Sequence, residues 1–127
     1  MQTTRFGNTG FETSRLGIGL AEVGYELSLK DQKQASAVIH SALDQGINFL
    51  DTAACYDLSE ELIGNGVADR REEFFLATKA GHITGESKGD EWTYATVIES
   101  IDRSLIRLKT DHVDLVQLHS CEINILE

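Results

Sequence analysis

The sequence predicts an α/β protein in which a parallel sheet is covered by helices, on three observations. Short, continuous apolar runs with the character of buried strands recur along the chain. Between them lie longer stretches whose apolar residues repeat with helical spacing. The two kinds alternate in the order strand, helix, strand, helix, strand, helix, strand, which calls for crossover connections within one sheet.

The elements follow in order. Gly7-Asn8-Thr9-Gly10 lies between Arg5-Phe6 and Phe11-Glu12-Thr13, and residues that tolerate positive φ at that spacing predict a short hairpin. Leu16 to Leu20 reads as a buried strand whose Gly17 and Gly19 allow close backbone approach. Ala35, Val38, Ile39, Ala42 and Leu43 fall on one helical face, with Ser28 and Asp31 as its capping box and Gly46 placed to end it. Ile47 to Leu50 is the next strand, and Leu62, Ile63 and Val67 mark a shorter helix. Phe74 to Thr78 is a strand, and Tyr94, Val97, Ile98, Ile101, Leu105 and Leu108 trace the apolar face of a third helix. Val113 to Leu118 is the last strand. With no linker or low-complexity segment, residues 1–127 read as one structural unit. Only Ser120 to Glu127 follow the last strand, so the unit is expected to be truncated, with open sheet edges that favour self-association.

Composition narrows the function classes. The formal net charge of -10 opposes binding to nucleic acid or to anionic membrane surfaces. No apolar run reaches the ~20 residues a bilayer span needs, and the N-terminus lacks the pattern of a signal peptide. Cys55 and Cys121 are too few for a disulfide scaffold and have no metal-ligand pair nearby, so no metal is expected and the location expected is cytoplasmic.

Three strands run into an ionisable residue: Ile47–Leu50 into Asp51, Phe74–Thr78 into Lys79, and Val113–Leu118 into His119. In a parallel sheet the C-terminal strand ends share one face, where enzymes of this architecture carry their chemistry. The loop after Asp51 brings Tyr56 to the same rim. Each residue also has an ordinary reading. Asp51 could cap a turn before Thr52, Lys79 could be an exposed lysine, His119 a hydrogen-bonded rim histidine and Tyr56 a packing residue. Acid, base and imidazole at three separate strand ends weigh against coincidence. An ammonium near a phenol favours the phenolate and would lower the tyrosine pKa from its ~10 reference. Asp51 would hold the ammonium, and a tyrosine so tuned can protonate a carbonyl oxygen that receives hydride. His119, when neutral, can orient that carbonyl.

These residues carry a family resemblance. Phe49-Leu50-Asp51-Thr52-Ala53-Ala54-Cys55-Tyr56, followed by Ser59-Glu60-Glu61-Leu62-Ile63-Gly64, resembles the aldo-keto reductase signature around its catalytic aspartate and tyrosine. Gly7 to Gly10 and Ser14 to Gly19 are similar to that family's N-terminal hairpin and first strand. Ala77-Thr78-Lys79 is similar to its lysine strand, and Ser104 to Leu108 with Asp114 to His119 to its helix and histidine strand. The resemblance implies a partial (β/α)8 TIM barrel: the N-terminal β-hairpin, about four parallel strands and three helices. It also implies NADPH-dependent reduction of a small aldehyde or ketone. Tyr56 would donate the proton, Lys79 and Asp51 would tune it, and His119 would position the substrate. Asp51 would also lie near the nicotinamide ribose, with backbone at Gly19, Leu20 and Ala21 near the nicotinamide.

The chain departs from the family at Asp57, where glycine is common, and in length, since a full barrel needs ~250 residues. The family's later strands, nicotinamide-stacking aromatic and adenosine-phosphate clamp have no counterpart here, so the chain alone is expected to be inactive. A reading of another class stays open, a non-catalytic half-barrel serving as a binding or assembly module. A flavodoxin-like nucleotide binder lacks its phosphate loop, since no G-x-G-x-x-G follows a strand.

Overall fold

The computed structural model describes residues 1–85 and 87–126. Two short strands, β1 (Thr3–Arg5) and β2 (Glu12–Ser14), form an antiparallel hairpin with Thr3 opposite Ser14. Gly7 and Gly10 take φ of +54° and +87° in the turn, the conformation for which glycine is suited. The hairpin is tied to the body by two bonds: Asn48 Oδ1 accepts from the Ser14 N–H at 2.6 Å, and Ser14 Oγ accepts from the Asn48 N–H at 2.9 Å. Its phenylalanines pack on the starts of later strands, Phe11 on Phe75 and Phe6 on Phe49.

The main sheet has four parallel strands in sequence order: β3 (Ile18–Gly19), β4 (Phe49–Asp51), β5 (Phe75–Ala80) and β6 (Leu115–Leu118). Register places Gly19, Asp51, Ala77 and Leu115 in one row across the sheet, with Lys79 opposite Gln117 two residues further along, on the same face. The first strand is shorter than the expected Leu16–Leu20. Leu16 is 55% exposed, and Leu20 already lies at the start of helix α1 (Ala21–Glu26), its side chain fully buried. Gly17 does allow close approach, since a Cβ there would lie 3.1 Å from the Phe49 ring, whereas one at Gly19 would meet nothing within 4 Å.

The helices that cover the sheet are α2 (Gln32–Asp44), α3 (Ser59–Val67) and α4 (Tyr94–Leu108). Ser28 and Asp31 form a capping box on a 3-10 turn, Leu29–Asp31, that leads directly into α2. Gly46, at φ +83°, follows the end of that helix. A single-turn helix, α5 (Ile123–Leu126), lies in the tail, where no helix is expected from the sequence. Leu20, Ile39, Leu43, Leu50, Ile63, Val67, Phe74, Leu76 and Leu108 make up the core between sheet and helices. Among the described residues no helix is long and apolar enough to cross a membrane.

The orientation of α4 corrects the sequence reading. Its buried side is the small, polar seam Thr96, Ser100 and Ser104 with Leu108, spaced at i, i+4, i+8 and i+12. Of the apolar residues expected on one face of this helix, Leu108 reaches the core and Val97, Ile101 and Leu105 are half-buried, but Tyr94 is 84% and Ile98 41% exposed. A Cβ on Gly64 of α3 would lie 2.2 Å from the Arg107 carbonyl oxygen, so the two helix backbones nearly touch at the C-terminal end of α4. Replacing Gly64 by Ala should therefore cost about 1–3 kcal/mol of stability by overpacking. Thermal and urea denaturation followed by circular dichroism will read this, and an unshifted midpoint would contradict the packing.

Candidate active site

At the C-terminal end of the sheet, β4 stops at Asp51, β5 carries Lys79 as its penultimate residue, and β6 is followed directly by His119. Lys79 Nζ donates to Asp51 Oδ2 at 2.8 Å and to the Thr52 carbonyl at 2.9 Å. Only 12% of the lysine side chain is exposed, against 34% for Asp51. Gln117, beside Lys79 in the register, donates from Nε2 to the other carboxylate oxygen of Asp51 at 3.3 Å.

Tyr56 comes from the loop between β4 and α3, which is pinned at both ends. The Thr52 N–H donates to the Ala77 carbonyl at 2.9 Å, and the Ser59 N–H to the Tyr56 carbonyl at 2.9 Å. Thr52 Oγ1 and Ser59 Oγ, both fully buried, are 2.8 Å apart, and the Ser59 hydroxyl donates to the Leu20 carbonyl. Asp57 adopts φ +44°, so the glycine common in the family at this place is replaced by a residue that still takes the left-handed turn. A Cβ on Gly24 would lie 2.0 Å from the Tyr56 carbonyl oxygen, so α1 rests directly on the loop.

This frame holds the Tyr56 ring with Lys79 Nζ 4.9 Å from its centroid. The His119 ring meets it edge-on at 5.5 Å, and the Tyr25 ring lies 5.9 Å away on another side. The four residues singled out from the sequence, Asp51, Tyr56, Lys79 and His119, are therefore brought together. The ammonium approaches the tyrosine at its ring face, and no hydrogen bond joins it to the Tyr56 hydroxyl among the described residues.

Other groups here carry less sequence signal. Gln117 shares strand parity with His119 and could have been found by counting back two residues. Cys55, His82 and Trp92 lie on loops, where no periodicity marks them. Cys55 Sγ is 3.0 Å from His119 Nδ1. His82 meets both His119 and Trp92 edge-on, and its Nδ1 is 2.8 Å from Glu91 Oε1. Burial pushes the His119 imidazole below its ordinary pKa, helped by His82 and Lys79 and opposed by Asp51, so it is neutral at neutral pH. Burial pushes the Cys55 thiol and the Tyr25 hydroxyl up. The hydrogen bond from His82 holds Glu91 below the usual carboxylate range.

On the inner face of the sheet a cavity of about 510 Å³ is lined by Gly17, Ile18, Gly19, Asp51, Leu115 and Gln117, among others. The empty space at Gly19, next to Asp51 in the register, suits a flat ring approaching the backbone. Leu20 offers less, because its N–H donates to the Asp51 carbonyl and its own carbonyl accepts from Ser59 and Gly24. Ala21 opens α1 half-buried beside them.

Comparison with known proteins bears on this arrangement. The model of the aldo/keto reductase family matches residues 15–125. The uncharacterized oxidoreductase YqkF of Bacillus subtilis is 37% identical over 124 residues, 94% of this chain and 39% of that protein. A putative aldo-keto reductase from Pseudomonas aeruginosa superposes with a TM-score of 0.86 at 34% identity, covering 98% of this chain and 50% of the other. An aldo/keto reductase from Klebsiella pneumoniae, solved in complex with NADP and acetate, gives 0.72 at 27% identity over 92% of this chain and 38% of its own. The chain thus spans half or less of the length of these relatives, and its parallel sheet with covering helices is part of a (β/α)8 barrel. With the family model running through nearly every element described above, this chain belongs to the aldo/keto reductase family of oxidoreductases.

Proposed function

We propose that the protein carrying this chain reduces small aldehydes or ketones to alcohols with NADPH, with Tyr56 as the proton donor. The observation that carries the reading is the convergence of Asp51, Tyr56, Lys79 and His119 at one end of the sheet, with the Lys79 ammonium held by Asp51 against the Tyr56 ring. The NADP bound to the Klebsiella pneumoniae relative supports the choice of cofactor. Gly19, Ala21 and Asp51, with the backbone at Leu20 behind them, would hold its nicotinamide end, which would supply the hydride for the carbonyl carbon.

The chain's own residues do the rest. Neutral His119 donates a hydrogen bond to the carbonyl oxygen and orients it. As negative charge develops on that oxygen, Tyr56 transfers its phenolic proton to it. The ammonium of Lys79 stabilises the charge this leaves on the tyrosine, and Asp51 with the Thr52 carbonyl keeps the ammonium in place. The exposed carboxylate of Asp57 works against that stabilisation from the solvent side. The free thiols Cys55 and Cys121 accord with a cytoplasmic setting.

Tyr56→Phe should lower carbonyl reduction by roughly 10²- to 10⁴-fold while NADPH affinity, read by nicotinamide fluorescence, stays unchanged. Retained turnover would sink the assignment. Lys79→Met should lower the rate and change the pH–rate profile, because it removes the charge held against the Tyr56 ring. A profile that does not move removes Lys79 from the role.

A second reading is favoured by the exposed Tyr94 and Ile98 on α4 and the open edges of β3 and β6: a non-catalytic half-barrel that assembles with a second copy. Light scattering on the purified chain should then give a discrete dimer whose Tyr94→Ser and Ile98→Ser variants are monomeric. A wild-type monomer would rule that assembly out.

A further inference from the structure

Cys55 takes no part in the reaction described above, yet its Sγ lies 3.0 Å from Nδ1 of His119. The histidine is restrained at its backbone by two other bonds. Its N–H donates to the Ala80 carbonyl at 3.0 Å, and its carbonyl accepts from Trp92 Nε1 at 2.9 Å. Neither bond fixes the torsions of the side chain. The ring's aromatic neighbours, Tyr56 and His82, meet it at 85° and 70°, edge contacts that supply no hydrogen bond to either ring nitrogen. Among the described residues the thiol is the one hydrogen-bonding partner the ring has.

The chemistry of the pair sets the direction of this bond. Burial raises the thiol and lowers the imidazole, so both are neutral at neutral pH. A neutral thiol has one S–H to donate and a sulfur that accepts weakly, whereas an unprotonated ring nitrogen accepts well. A proton on sulfur shared with Nδ1 leaves the ring proton on Nε2. The side chains that face this ring are Cys55 and Tyr56 from the loop after β4, Asp51 from β4, Lys79 from β5, and His82 from the loop after β5 with Glu91 behind it.

We infer that Cys55 is a positioning residue: its thiol donates to Nδ1 of His119, fixes the plane of the ring and keeps the proton on Nε2, the donor left for a substrate oxygen. The inference rests on the reading of His119 as the group that orients the carbonyl. A side chain next to the proton-donating tyrosine thus acts through the histidine at the end of a different strand, and links two parts of the site that the sheet alone only brings near.

The test reads the ring directly. The whole protein that carries this chain is labelled with ¹⁵N-histidine, and the nitrogens of His119 are followed by NMR across its titration in the wild type, Cys55→Ala, Cys55→Val and Cys55→Ser. The wild type should show one neutral tautomer, protonated at Nε2, with Nδ1 shifted as a hydrogen-bond acceptor. In the Ala and Val variants Nδ1 should move to the position of an unbonded nitrogen and the titration midpoint should rise. Ser, which keeps a donor, should restore both. A wild-type ring protonated at Nδ1, or a Ser variant that tracks Ala, overturns the inference. So does a Val variant that tracks the wild type, since bulk rather than a hydrogen bond would then hold the ring. Carbonyl reduction on the same set should fall roughly tenfold in Ala and Val and recover in Ser. The two claims fail separately. A thiol-dependent Nδ1 in a protein that reduces no carbonyl compound removes the proposed function and leaves the contact standing. Turnover with an Nδ1 indifferent to Cys55 removes the positioning role alone.

Discussion

A lysine with only 12% of its side chain in water keeps its charge at low cost only when acceptors surround it, and at Lys79 those acceptors are Asp51 Oδ2 and the Thr52 carbonyl. The pair exists because of register. Lys79 lies two residues beyond the row of Asp51, on the same inner face of the sheet, so its stem reaches diagonally to the end of β4. A slip of one residue in either strand would turn one partner to the opposite face. The apolar pairs beneath protect against that slip. Leu50 and Leu76 are buried against the helices on the outer face, while Phe49 and Phe75 carry the hairpin phenylalanines below. The hairpin at one end of the barrel segment and the ion pair at the other therefore depend on the same alignment.

The loop that carries Tyr56 is held by a second network beneath it. Glu60 is buried to 1% exposure, accepts from the Thr78 hydroxyl at 2.7 Å, and has the Arg107 guanidinium 3.7 Å from its other oxygen. Arg107 also donates to the Ala54 carbonyl at 3.1 Å. Thr78 precedes Lys79 and Ala54 precedes Cys55, so one buried carboxylate braces both the lysine strand and the tyrosine loop from the helix side. Arg107 lies where α4 comes closest to α3, at Gly64.

Much of this was legible in the sequence, for reasons that differ by residue. Asp51, Lys79 and His119 could be placed at one end because strand ends in a parallel sheet share a face whatever the exact boundaries. Tyr56 followed from a short loop with few places to go. The inward face of α4 was legible only in part, because hydrophobic periodicity reports which side is apolar, whereas Thr96, Ser100 and Ser104 are buried although polar. The brevity of β3 went unseen for a similar reason: Leu20 is as buried as any strand residue, but it is buried at a helix start. Cys55 and Trp92 meet His119 across 64 and 27 residues, from loops whose path no local pattern specifies.

At the rim Lys79 is paired with Asp51, His82 Nδ1 lies 2.8 Å from Glu91 Oε1, and His119 is neutral. In a chain of net charge -10 the Lys79–Asp51 pair keeps this rim from being uniformly acidic. The exposure of Asp57 lets water and salt screen it while Lys79 stays largely shielded. The Tyr56 ring, with that ammonium at its face and a neutral imidazole at its edge, is the arrangement on which the proposed function rests.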